Sequence, residues 1–513
     1  MSNPSQWTIR EKVAQVIFPR LDTEKYYEDE KYRKEIDNLA KLNIGGFCIF
    51  GGNPEQVEQM VHTLQARSKT PLLMSADFEN GLPMRLSEGT DFVHAQGMNR
   101  LGHEAIFKIA QAIAKESKGI GIRWNLAPVA DVNTNKDNPV INIRAFGDNP
   151  ESVSQSVKSY IEGTQVEKVL ACAKHFPGHG DTNQDSHLEL PVLKHSYERI
   201  SYIDFEPFRE AIQSNVASIM LAHLNVPSID SSGLPTSLSE SAVKILREEL
   251  KFNGIIVTDA LEMKAITNHY TGAEAAQLAI NAGVDALLMP VDNNDTIDFL
   301  TDLAAKNPTF HEKIDIATRR IVITKKKFGL IPAYQLLEPS KNLFINHSKM
   351  ALKYAWDAID LKGDKTVIPI DDKINFAGFA FIEKDKDFRS ASRMFTMLAQ
   401  ATENDCDFAY INSEIDDEQL SEYKKGIQEA NIVIFTINLR SIPIKEFNEK
   451  IQSLNTLMKD ISTGKKRIII NYGNPSYSDY FDADLHINTF SDSFSSLAAS
   501  IVMLTGREEA MNY

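Results

Sequence analysis

Eight short apolar runs recur through roughly the first 300 residues of this chain, and each is followed by a polar or helix-like stretch. They are "VAQVIFPRL" from Val13, "IGGFCIF" from Ile44, "PLLMSADFE" from Pro71 and "WNLAPVADV" from Trp124. "LACAKHFPG" follows from Leu170, "ASIMLAHL" from Ala217, "GIIVTDALEM" from Gly254 and "VDALLMPVD" from Val284. The apolar residues are nearly continuous rather than alternating, the pattern of parallel strands buried on both faces. Helical patterns separate the runs. Asn53 with Pro54 in the first turn opens one, and Ser239 opens "SESAVKILREEL", which repeats apolar residues at helical spacing. Eight strands alternating with helices predict an α/β fold built on an N-terminal (β/α)8 TIM-like barrel, with a doubly wound open sheet as the rival.

At 513 residues the chain is long for one core. Closing helices run up to Pro332, and the polar stretch from there to Ser340 reads as a linker. Beyond it "INFAGFAFI" from Ile374, "ANIVIFTINL" from Ala430 and "KRIIINYG" from Lys466 alternate with helical stretches. The expected domains are therefore a barrel over 1–335 and a smaller C-terminal α/β sandwich domain over 342–513.

A formal net charge of -15 argues against nucleic acid or an anionic membrane as partner, since both would repel the chain. Cys48, Cys172 and Cys406 are too few and scattered for a disulfide framework, and buried free thiols are expected. Arg10, Glu11 and Lys12 stand where a signal peptide needs an apolar core, and no apolar run reaches the length of a membrane span. These features read as a cytoplasmic protein.

A barrel of this kind forms its active site at the carboxyl ends of the strands. The residues closing the runs are Asp77, Asp131, Lys174 with His175, His223, Asp259 and Asp292. Asp259 is the sharpest candidate: a lone carboxylate ending a strongly apolar strand would be costly to bury without a partner. It reads either as the N-cap of the helical "ALEMKAI" or as a carboxylate nucleophile. Five of the twelve histidines lie between His175 and His223. Within "KHFPGHGDTNQDSH", Asp185 and His187 are two apart and share one side of an extended segment. A carboxylate beside an imidazole suits a general acid/base near neutral pH. His179 and Asp181 read as internal hydrogen-bonding groups, while Pro177 and the glycines supply sharp turns and freedom to swing.

His175, His179, Asp181, Asp185 and His187 are all acceptable metal ligands. No HExxH pair exists, however, and a glycine-rich loop is a poor ligand platform, so neither metal nor cofactor is expected. Asp77 with Arg85, and Arg144 after the fourth run, can clamp the hydroxyls and acyl group of a sugar. For Lys174 and His175, adjacent in one strand, to reach the same sugar the strand end must be irregular between Ala173 and Phe176.

Together "DFENGLPMRL", "NLAPVADV", "INIRAFG", "KHFPGHGDTNQDSH" and "TDALEMKAI" resemble glycoside hydrolase family 3, in its β-N-acetylglucosaminidase branch. The resemblance implies a retaining exo-β-N-acetylglucosaminidase acting on N-acetylglucosaminides such as peptidoglycan turnover fragments or chito-oligosaccharides. Asp259 would be the nucleophile, and His187 the acid/base with Asp185 as its dyad partner. Asp77, Arg85, Arg144, Lys174 and His175 would hold the sugar, with His223 also in the binding set. Asn80 stands where the family often has glycine. A phosphorylase on the same scaffold is the nearest alternative, ahead of a β-glucosidase, a metal-dependent hydrolase or an inactive sugar-binding module.

Overall fold

The computed structural model describes residues 4–182, 189–331, 341–370, 374–382, 385–402, 408–411, 416–437 and 444–507; Asp185, His187 and Cys406 lie outside these segments. Each apolar run of the N-terminal part forms a strand. The first gives two pieces either side of Pro19, β1 (Ile17–Phe18) and β2 (Arg20–Asp22). Then come β3 (Cys48–Phe50), β4 (Ser75–Ala76), β5 (Trp124–Asn125) and β6 (Leu170–Phe176). β7 (Ser218–Leu221), β8 (Ile255–Thr258) and β9 (Leu287–Leu288) complete the set.

Strands β2 to β8 lie parallel in sequence order. β9 pairs in parallel with β1, Leu287 opposite Ile17, and a bridge from Val257 to Ala286 joins its leading edge to β8. The sheet thereby closes on itself as a (β/α)8 barrel, not the open sheet. Every residue of β6, β7 and β8 is buried, which is why these runs are continuously apolar. Inside, Phe18 meets Trp124 edge to face with ring centroids 5.2 Å apart. The helix Pro54–Arg67 starts at the expected signal: Asn53 accepts from the Gln56 amide and Gln56 returns the bond.

The C-terminal strands are β10 (Asp360–Gly363), β11 (Phe376–Phe381), β12 (Phe408–Ile411), β13 (Ile432–Ile437), β14 (Lys466–Asn471) and β15 (Leu485–Asn488). They form one sheet in the order 10-15-14-13-11-12, parallel except for β10. β11 feeds two cores alternately. Phe376 and Ala380 join Met394, Ile434 and Leu497, while Ala377, Phe379 and Phe381 join Val433, Phe435 and Leu454. Both faces are covered, which makes this part an α/β sandwich.

By contacts the chain separates into two compact units. One comprises the chain through Thr90 with Gly102–Ile345, and the other Asp91–Leu101 with the chain from Asn346. The helix Ala95–Leu101, inside the span 1–335 expected for the barrel, packs within the second unit. A Cβ on Gly97 would lie 2.8 Å from that of Phe490, and the His94 amide donates to the Phe490 carbonyl at 3.3 Å. Arg100 reaches the Ala358 carbonyl at 3.0 Å and Asp360 at 3.3 Å. Among the described residues no helix is long and apolar enough to cross a membrane. Cys48 and Cys172 are buried free thiols, and burial pushes both up to about 12.

Lys325, on the helix Pro308–Lys327, is fully buried, and its ammonium donates to Gln15 Oε1 at 2.9 Å. Burial pushes it down to about 7 from an ordinary value of 10.5. Between those values the unfolded chain binds more protons, so stability rises with pH by at most about 1.4 kcal/mol per unit from this group. Lys325→Met should flatten that rise. Urea midpoints measured from pH 7 to pH 9 check it, and parallel profiles for the two proteins would show the lysine still charged at pH 9.

Candidate active site

Two strand ends and two loops build an alternating charge cluster at the carboxyl end of the barrel. Asp77 follows β4, and the peptide of Phe78 is pinned beyond it. The Phe78 amide donates to Asn125 Oδ1 at 3.0 Å, and its carbonyl accepts from Asn125 Nδ2 at 3.1 Å and from the Tyr160 hydroxyl at 2.9 Å. With Phe78 locked in the core, Asp77 and Glu79 project the same way. Lys174 from β6 donates to both, at 2.8 Å to Asp77 Oδ1 and 2.8 Å to Glu79 Oε1. Arg85 clamps the other Asp77 oxygen at 2.8 and 3.2 Å. Arg144 holds Glu79 through two parallel bonds of 3.0 and 2.7 Å.

Burial opposes every one of these charges, and each survives through its neighbours. Lys174 and Arg85 hold Asp77 below the ordinary carboxylate range, and Arg144 and Lys174 do the same for Glu79. In return the two carboxylates raise Lys174, which is only 2 % exposed. Glu79, Asn125 and Tyr160 were not among the residues expected from sequence. The legible signal was a second carboxylate two residues after Asp77 in a chain whose cations needed partners.

The end of β6 is irregular as expected: its register against β7 shifts between Ala173 and Phe176. The Lys174–His175 peptide there is cis. The two neighbouring side chains serve different partners. His175 Nδ1 donates to Asp131 Oδ2 at 2.8 Å, while Asp131 Oδ1 accepts the amides of His175 at 3.1 Å and His179 at 2.7 Å. Asp131 thus sets the tautomer of His175. Burial pushes His179 down to about 4, so its imidazole is neutral at pH 7, and Thr182 Oγ1 meets its Nδ1 at 2.8 Å.

Asp259 follows β8 and is partly exposed. It is not a helix cap, because the next helix, Lys264–Thr267, begins after Met263 with no side-chain bond. Its Oδ1 accepts from the Ala260 amide at 2.8 Å. Burial would raise its pKa, but the neighbouring His223 and His175, the Ala260 amide and Lys174 hold it below the ordinary value. His223 is fully buried, with Nε2 donating to the Ala260 carbonyl at 2.9 Å and Nδ1 2.7 Å from Ser237 Oγ. Both ring nitrogens face protein groups, so its influence reaches the site through Asp259. Asp292 is exposed, in a left-handed conformation at φ 51°, and joins none of these bonds.

The glycines expected to free the loop after β6 instead seat it. A Cβ on Gly180 would fall 1.9 Å from the Val132 carbonyl oxygen, and one on Gly178 2.7 Å from Asp204 Cβ. Asn138 donates to the His179 carbonyl at 2.8 Å and Asn135 to the Thr182 carbonyl at 3.2 Å. Of the possible metal donors, His175 and His179 are engaged as above, and Asp181 binds His195 and Arg199. Asp185 and His187 lie outside the described residues.

Residues 8–324 match the model of the glycosyl hydrolase family 3 N-terminal domain. The chain is 30% identical over 385 residues to β-hexosaminidase A of Pseudoalteromonas piscicida, which covers 68% of this chain and 64% of that protein. It is 32% identical over 314 residues to a β-hexosaminidase of Idiomarina loihiensis, covering 59% of this chain and 92% of that one. Among solved structures, a glycoside hydrolase family 3 β-N-acetylglucosaminidase from Paenibacillus sp. str. FPU-7 superposes with a TM-score of 0.82 at 25% identity. The match covers 98% of this chain and 97% of that one.

Removing one member of the charge cluster should expose its cost. Glu79→Ala leaves Arg144 without its carboxylate and Lys174 with Asp77 alone, and should destabilise the protein by about 3–5 kcal/mol. Denaturant midpoints measure this, and a loss well under 1 kcal/mol would show that water replaces the carboxylate.

Proposed function

The chain belongs to glycosyl hydrolase family 3, and on that premise we propose that it is a retaining exo-β-N-acetylglucosaminidase. Its substrates are terminal, non-reducing, β-linked N-acetylglucosaminides, with peptidoglycan turnover fragments in the cytoplasm as the favoured source. The observation that carries this reading is the ionised, partly exposed Asp259 at the end of β8, electrostatically coupled to Lys174 and His175. The names of the hexosaminidase relatives support the choice of sugar.

In this reading Asp77, Arg85, Arg144, Lys174 and His175 hold the sugar, and Glu79 keeps Lys174 and Arg144 in register. Asp259 attacks the anomeric carbon as the glycosidic bond breaks, and His187, partnered by Asp185, donates a proton to the departing oxygen. Water then attacks the same carbon, gives its proton to His187 and releases Asp259 as a carboxylate. Two inversions leave the β configuration unchanged. The roles of Asp185 and His187 rest on the "DSH" motif and its family resemblance. His187 donates as the imidazolium, which carries no negative charge and so avoids the repulsion a second carboxylate would feel from the ionised Asp259.

Asp259→Ala should lower kcat/KM on an aryl β-N-acetylglucosaminide by about 10⁴-fold or more without shifting Tm. Substantial residual turnover would refute the nucleophile assignment. On a substrate panel the aryl β-glucoside should be a far poorer substrate, and comparable rates would overturn the choice of sugar.

A further inference from the structure

The amino ends of β7 and β8 lie at the opposite end of the barrel from Asp259, and a cavity of about 500 Å³ opens there. Val216 and Ala217 lead into β7, while Phe252 and Gly254 lead into β8. Phe328, just beyond the helix Pro308–Lys327, lines the cavity with them. Both loops are held from behind. Gln165 donates to the Asn215 carbonyl at 3.0 Å and accepts from the Ala217 amide at 2.8 Å. Arg247 donates to the carbonyls of Phe252 at 2.9 Å and Gly254 at 2.8 Å. The cavity is thus pre-formed, and its volume suits a small molecule, since ligand pockets span roughly 300–1,000 Å³.

One face of the helix Pro308–Lys327 forms a wall. Ile316, Arg319, Ile323 and Lys327 recur at helical spacing, so apolar and cationic side chains alternate along it. The two isoleucines are 42 % and 63 % exposed, which leaves apolar surface uncovered at the lip. Cations are in surplus around this wall. Buried Asp285 accepts from Arg247 at 2.6 Å and also binds Arg320, so one carboxylate serves two guanidiniums. Lys251, Arg319 and Lys327 add three more cations, and none of them pairs with a carboxylate among the described residues. The lining itself holds no carboxylate, although the chain carries 70 acids against 55 lysines and arginines. The local charge therefore opposes that of the whole chain.

We propose that this cavity binds an amphipathic anion: a small molecule with an apolar body and a single carboxylate or phosphate head. The body packs on Phe252, Phe328, Ile316 and Ile323, where removing apolar surface from water favours binding. The head meets the exposed Lys251, Arg319 and Lys327, in charge-assisted contacts that a neutral ligand lacks. The site rests on no assignment at the other end of the barrel.

Isothermal titration calorimetry with octyl phosphate, octanoate, octanol and inorganic phosphate tests this. The better octyl anion should bind at least about tenfold more tightly than octanol or inorganic phosphate, because body and head both contribute. Octyl phosphate ahead of octanoate assigns a phosphate head, and the reverse order a carboxylate. Combining Arg319→Ala with Lys327→Ala should weaken the anion about tenfold without shifting Tm, since both side chains are exposed. Ile323→Glu should abolish binding. Equal affinity for octanol and the anions, binding that survives these substitutions, or no binding would overturn the site. A dimer of the chain that Ile323→Glu dissociates would also overturn it, by assigning the lip to a second copy.

Discussion

The ammonium of Lys174, buried between Asp77 and Glu79, is the charge that the strand ends are organised around. Asp77 and Glu79 leave β4, Arg144 comes from the loop after β5, and Lys174 stands in β6. Three neighbouring strands are therefore tied by groups that cannot be buried singly, since an uncompensated charge in such a place costs several kcal/mol. The register of β6 against β7 breaks between Ala173 and Phe176, where Lys174 meets the carboxylates and His175 meets Asp131.

The same lysine contributes to the second electrostatic centre, where it joins His223 and His175 in holding Asp259 ionised. Cations that already hold their positions against internal carboxylates need little reorganisation when a polar ligand arrives or charge moves during reaction. The seat of the loop after β6 follows this pattern of fixed supports. Gly178 and Gly180 are close-approach glycines, required because Asp204 and the Val132 carbonyl leave no room for a Cβ.

Much of the fold was legible because the pattern that defines it is local. Continuous apolar runs marked all eight barrel strands, since burial on both faces removes the alternation seen in half-exposed sheets. The site was legible only in part. Asp77, Arg85, Arg144, Lys174 and Asp259 stand out as charges at strand ends, whereas Glu79 looks like an ordinary loop residue until Arg144, 65 positions away, closes on it. His223 reads as a ligand-facing histidine, and only packing against Ser237 and Ala260 shows both nitrogens turned to protein. The N-cap reading of Asp259 needed a helix at once, but the chain delays it until Lys264.

The sequence by itself determined the strand and helix order, the barrel class, the family motifs and the set of charged residues available at the strand ends. Each depends on residue type and short-range spacing. Only the tertiary structure decided which charges pair, which face of β6 each residue serves, and that Ala95–Leu101 belongs with the C-terminal unit. Those outcomes turn on distances between residues remote in the chain. Buried charges and close-packed glycines are satisfied by whatever the closed barrel brings within about 3 Å of them, and one strand's sequence does not contain that information.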